Sequence, residues 1–195
     1  MRARSDIADS LVHFTSGVST DDALDRFRNI VSECRLVGGN GMIRGSHRCV
    51  CFSEAPLPLP NGLVNPDAYW RYSPFGLLFE KQWIFAQGGR PVIYQPNAEY
   101  DLLHEEQKWR HVTYDPPDVD FSWEREWRVH CPELYFDPSV ACLVLPSQEY
   151  VDALIADHDE RQEAKWYRYS EVFDQEELMR YREDFPWRVI YLGGQ

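Results

Sequence analysis

Nowhere does the chain carry the roughly 20 consecutive apolar residues that a membrane-spanning helix requires. The opening MRARSDIADS has basic residues but no apolar stretch behind them, so no signal peptide is expected. Cations are the minority, 20 Lys and Arg against 32 Asp and Glu, for a net charge of −12. A broad nucleic-acid surface needs an excess of cations to displace counterions, so that class is disfavoured; a local basic groove or a basic protein partner stays compatible. The five cysteines are an odd number, at 34, 49, 51, 131 and 142, with no secreted-type framework. A reducing cytoplasm is the expected compartment. G-x-S-x-G, the Walker loop and G-x-G-x-x-G are all missing. The glycine-rich GGNG at 38–41 follows a helix and precedes a strand, the wrong order for a dinucleotide fold.

What is present suffices for one ordinary domain spanning 1–195, with 44% hydrophobic residues to build a core and 14% aromatics to line clefts as well as fill interiors. LVHFTS (Leu11 to Ser16) is a short β-type run. Ser19 or Thr20 caps a helix with apolar Leu24, Phe27, Ile30, Val31 and Cys34, ended by Gly38, Gly39 and Gly41. RCVCFSE (Arg48 to Glu54), FGLLFEK (Phe75 to Lys81) and PVIYQ (Pro91 to Gln95) read as strands. Pro56, Pro58, Pro60 and Pro66 make a loop between the first two. A short helix or loop ends at Gly88 and Gly89, and NAEYDLLHEEQKWRHV is expected to be helical. After the loop DPPDVD come the strand VACLVLP, a helix from about Ser147 to Ala164, another from Asp174 to Arg182, and the closing strand WRVIYL. The class is α+β.

Three stretches invite chemistry. FSWEREWRVH (Phe121 to His130) alternates, so as a strand it places Glu124, Glu126, Arg128 and His130 on one face and Trp123, Arg125, Trp127 and Val129 on the other. Two acids two residues apart on a strand sit about 7 Å apart. They are either a solvated face paired to Arg128 or a neighbour, or a carboxylate that stabilises a developing sugar cation. In LVHFTS, His13 and Thr15 share a face and suit a ribose or carboxamide, or else His13 is a core imidazole satisfied by backbone. CVCFSEAPL with YWRYSPFGLLFEK puts Ser53 and Glu54 at a rim, with Tyr69, Tyr72 and Phe75 able to stack on a ring or to pack in the core. Metal is not expected: His47, Cys49 and Cys51 lack zinc-site spacing, and His104 and His111 fall two helical turns apart.

Taken together, LVHFTS, CVCFSEAPL, YSPFGLLFEK and EREWRV resemble the AbiGi-like abortive phage-resistance family, from residue 11 to about 130. The same order is similar to the ADP-ribosyltransferase fold, above all the DarT-like toxins. The resemblance implies a split β-sheet core flanked by helices. It implies an enzyme that consumes NAD as substrate, transferring ADP-ribose to a macromolecular acceptor, protein or nucleic acid, with loss of nicotinamide. It places His13 and Thr15 on the early NAD-contacting strand, Phe52 and Ser53 on the central strand, and Tyr72 as a nicotinamide-stacking residue. Glu126 takes the catalytic position and Glu124 orients the acceptor. Phe14 stands where many His-type relatives have Gly, so its backbone, rather than a close glycine approach, would meet the carboxamide. DarT-like toxins use a mid-chain arginine, for which Arg44 and Arg48 are the counterparts. By analogy, an antitoxin protein restrains the activity, and no membrane is involved. A non-enzymatic binding module on a degenerate transferase fold, or an RNA-cleaving toxin using His and Glu as acid and base, are the other readings of the same residues.

Overall fold

A computed structural model of the chain describes residues 8–54, 72–170, 172, 174, 176, 180 and 182–192. The expected proline loop at 56–66, Tyr69 and most of the helix expected over 174–182 lie outside the described residues. The architecture is mixed α+β around a seven-stranded sheet.

The chain enters the sheet at β1 (Ser10–Phe14), then forms α1 (Thr20–Glu33). Ser19 caps α1 by accepting from the Asp22 N–H at 3.2 Å, and Asp22 in turn accepts from the Val18 N–H at 2.9 Å. One orphan amide of the first turn is thereby satisfied, the Asp22 carboxylate ties down the residue before the cap, and acids in the first turn complement the helix dipole. Ala23, Phe27 and Val31, four apart, face the core. The helix stops at Cys34, which adopts a left-handed φ of 49°, so the expected glycine terminators are not used. The residues between become β2 (Arg35–Val37), paired with β9 (Glu133–Tyr135).

β3 (Cys49–Ser53) and β4 (Gly76–Glu80) follow, then α2 (Lys81–Ala86). The segment read as one strand, PVIYQ, splits into β5 (Arg90–Pro91) and β6 (Ile93–Gln95). β5 joins the main sheet and β6 pairs in parallel with β7 (His111–Thr113). The helix expected over NAEYDLLHEEQKWRHV is instead two 3-10 stretches, Asn97–Leu102 and Glu105–Arg110, running into β7. Leu103 and His104 are extended between them, which interrupts any helix. β8 (Glu126–His130) and β10 (Ala141–Leu145) are central strands. α3 (Gln148–Tyr169) runs five residues past its expected end, and β11 (Arg188–Tyr191) closes the sheet.

The sheet order is β11-β10-β4-β1-β3-β8-β5, antiparallel throughout except for β10 with β11. Its two faces differ. Leu11, Leu77, Phe79, Leu143, Val50, Phe52 and Val129 face α1 and α3 in the main core with Phe27, Val31, Val151 and Leu154. Burying each such side chain contributes about 1.5–3 kcal/mol. Val12, Phe14, Leu78 and Val144 form a smaller apolar cluster on the other face. There Phe14 lies opposite Gly76, and a side chain at Gly76 would collide with the Phe14 ring. Among the described residues, no helix is long and apolar enough to cross a membrane.

Candidate functional site

β1, β3 and β8 are neighbours, so the three sequence motifs come together in one part of the sheet. Ser53 is the meeting point, registered opposite Val12 on β1 and Glu126 on β8. Cross-strand partners point to the same side. Ser53, Cys51 and Cys49 therefore share a face with Glu126, Arg128 and His130, while Phe52 and Val50 share the core face with Trp127 and Val129.

The expectation that Glu124 and Glu126 project from one strand face is corrected here. Ser122–Glu124 is a 3-10 turn, Arg125 has a left-handed φ of 45°, and the strand begins only at Glu126. A non-glycine residue in that region costs energy and persists only where its surroundings hold it. Two bonds do so: Ser53 Oγ donates to the Glu124 carbonyl at 2.6 Å, and the Glu54 N–H donates to the Arg125 carbonyl at 3.3 Å. Trp123, which the alternation puts on one face with Trp127 and Val129, is 46% exposed. Trp127 does pack on the core, and its indole N–H donates to Glu54 at 2.8 Å, while Lys81 pairs with the same carboxylate at 2.6 Å.

Glu126 is held on every side. Arg128 grips it through Nε at 2.7 Å and Nη2 at 3.2 Å, a two-point clamp in which the side chains are 3% and 13% exposed for Arg128 and Glu126. Arg128 spends Nη1 on the Trp109 carbonyl at 2.8 Å and the His111 carbonyl at 3.0 Å, which fixes the guanidinium plane. The Glu126 N–H donates to the Tyr94 hydroxyl at 3.1 Å, and the Glu126 carbonyl accepts from the Val92 N–H at 3.0 Å. Burial, with the Glu126 and Glu124 carboxylates nearby, pushes the Tyr94 phenol up to about 12, so it stays protonated. Burial and then Glu126 also hold the Cys51 thiol well above its usual range, so it is no thiolate nucleophile. A carboxylate has about four lone-pair directions; the clamp occupies one on each oxygen, and the Cys51 thiol bonds the same carboxylate. Glu126 keeps acceptor capacity for a hydroxyl.

The other expected ligand residues are dispersed. His13 is registered with Leu77 and meets Phe52 edge-on at 5.8 Å, so it projects into the core face, opposite to Glu126. Its Nδ1 donates to the Cys51 carbonyl at 2.8 Å, which leaves Nε2 as the acceptor nitrogen; burial lowers its pKa and keeps it neutral. Thr15 shares that face, and its hydroxyl is spent on the Phe75 carbonyl at 3.0 Å and on Ser73 at 2.7 Å. Phe52 is core. Phe14 is on the Glu126 face, edge-on to Tyr72 at 5.9 Å. Arg48 lies beyond the opposite end of β3 from Ser53, about 16 Å along the strand, and donates to the Gly38 carbonyl at 3.1 Å. Arg44 lies outside the cluster too, on Asn97 and over the Tyr100 ring. His47 and His130 meet edge-on at 5.1 Å. Among the described residues, no group of three or more His, Cys, Asp or Glu is placed to hold a metal ion.

Comparison of the chain with protein-family models, curated proteins and solved structures finds no match. The functional argument therefore rests on the site's own geometry. Two of its residues escaped sequence reasoning. Tyr94 sits in an ordinary β-type run, and Trp109 offers Arg128 a main-chain carbonyl, which no side-chain pattern signals.

Proposed function

We propose that the chain is an NAD-consuming ADP-ribosyltransferase-like toxin in phage defence, with Glu126 as its catalytic carboxylate. The reading includes the finer fold assignment, an ADP-ribosyltransferase-like split sheet. The observation that carries it is the adjacency of β1, β3 and β8, with Ser53 opposite Glu126 and the Glu126 carboxylate pre-oriented by Arg128. In this reading a free lone pair of Glu126 accepts a hydroxyl of the nicotinamide ribose. Its negative charge stabilises the oxocarbenium-like state as nicotinamide departs, and a fixed, partly desolvated charge does this better than a mobile one. The neighbouring Tyr94 hydroxyl holds the Glu126 backbone by accepting from its N–H. Glu124, at the turn before β8, orients the acceptor macromolecule. An antitoxin with a basic surface is the expected restraint, attracted by the net charge of −12.

A second reading, a non-enzymatic binding module on the same scaffold, is favoured by a specific observation. His13 projects from the face opposite Glu126, with one nitrogen spent on the Cys51 carbonyl. One assay separates the two: incubation of the chain with labelled NAD and a cell lysate, then protease or nuclease digestion to locate the label. Transfer that is lost in Glu126→Gln supports the transferase; NAD binding or its absence without any transfer or hydrolysis supports the module. RNA degradation without added NAD would point instead to a nuclease.

A further inference from the structure

Among the described residues, two arginines at the free edge of the sheet pair with no acid. β5 ends the sheet beside β8, with Arg90 registered opposite Arg128. Arg90 Nη1 donates to the Phe85 carbonyl at 3.1 Å and the Gly89 carbonyl at 2.7 Å, and its guanidinium carbon lies 4.0 Å from the centre of the Phe85 ring. Arg110 arrives from the 3-10 turn before β7 and donates Nε to the Pro91 carbonyl at 2.9 Å, next to Arg90 in sequence. Both side chains are half-buried.

Arg26, Arg28, Arg35, Arg128 and Arg182 each pair with a carboxylate. Arg44, Arg48 and Arg188 instead bond amide or backbone oxygens, as Arg90 and Arg110 do; what sets Arg90 and Arg110 apart is that the two stand side by side, half-buried, with no carboxylate among the described residues. Arg90 Nε and Nη2, and Arg110 Nη1 and Nη2, have no acceptor among those residues. Two like charges held together and partly desolvated are costly unless an anion meets them. Burial, and then the charge of Arg90, pull Arg110 below its ordinary range, the signature of such crowding.

We propose that the Arg90–Arg110 pair is a binding site for a phosphate group. Guanidinium forks match phosphate oxygens two at a time, and a half-buried fork whose plane is already fixed by carbonyls loses little freedom on binding. Phe85, 53% exposed, adds an aromatic surface beside the charges, which favours a nucleotide phosphate over a bare ion. The site does not depend on any role for Glu126.

The test titrates the full chain at low salt with inorganic pyrophosphate, ADP and a short single-stranded oligonucleotide, by calorimetry. Saturable binding is expected, weakened about tenfold or more by Arg110→Gln, the scale of one lost charge-assisted contact, with Arg110→Lys in between. Arg110 is the residue of choice because it holds one carbonyl; Arg90→Gln, which also frees Phe85 and Gly89, is interpreted only with an unchanged melting curve. Loss shared by pyrophosphate and ADP assigns the site to a diphosphate. Loss confined to the oligonucleotide assigns it to a nucleic-acid backbone. Absence of saturable binding to all three, or affinities unchanged in Arg110→Gln, overturns the proposal.

Discussion

Across β3 and β8, two faces of one sheet solve opposite problems. On one, Val50, Phe52, Trp127 and Val129 meet the helices in an apolar core. On the other, Cys51, Ser53, Glu126 and Arg128 put an ion pair where solvent barely reaches. The apolar face needs only volume to be filled. The polar face is stable because its charges are met: Arg128 donates to both Glu126 oxygens, two carbonyls take its third nitrogen, and the Ser53 hydroxyl bonds the turn before β8, leaving Glu126 a further lone pair. A charge fixed so completely is costly as scaffold alone, which is the physical argument behind the proposed role of Glu126.

The largest break should come from Arg128→Met. It strands Glu126 with two carbonyls and is expected to cost about 3–5 kcal/mol in urea unfolding. Adding Glu126→Leu should recover part of that loss, since the stranded charge goes with it. A double variant no more stable than Arg128→Met would show that the carbonyls dominate. On the opposite face, Phe52→Ala should cost about 3–4 kcal/mol by the cavity it leaves. There, no second-site change of charge should rescue it.

A smaller effect follows from pH. Burial holds the imidazoles of His13, His111 and His130 below their ordinary 6.5. The unfolded chain then binds more protons than the folded one, so their contribution is fully present above about pH 6.5 and is lost as pH falls below it. Urea midpoints should drop between neutral pH and mildly acidic pH. His13→Asn, which keeps a donor for the Cys51 carbonyl, should flatten that profile; an unchanged slope would remove His13 from the explanation. Smallest of all, Trp123→Ala should change stability by no more than about 0.5 kcal/mol, because the ring is exposed and outside the strand. A loss comparable to Phe52→Ala would mean that the turn before β8 is part of the core.

Legibility in the sequence followed the range of the interaction. β1, β3, β4, β10 and β11 were readable to within a residue or two because their apolar runs are local, as was the Ser19 cap. The 97–112 segment was not, because the pairing of β6 with β7 competes with helix and is invisible in a local pattern. Arg125 failed differently: its left-handed turn sits inside a sequence that alternates like a strand, and the bonds that hold it come from Ser53 and Glu54, some 70 residues away. Near Glu126, the pairing of an acid to Arg128 was legible as the solvated-face alternative, but not that the pair is buried. The opposed directions of His13 and Glu126 were not, since face depends on the register Val12 with Ser53 and Ser53 with Glu126.

The most direct measurement is transfer of labelled ADP-ribose from NAD by the wild-type chain and by Glu126→Gln, with circular dichroism to confirm that the variant folds. Glutamine keeps the shape of the side chain but not its charge, and the expected result is a loss of at least about 100-fold, the scale of one transition-state electrostatic group. Near-normal transfer by a folded Glu126→Gln, or no NAD turnover by the wild type with any acceptor, would contradict the account.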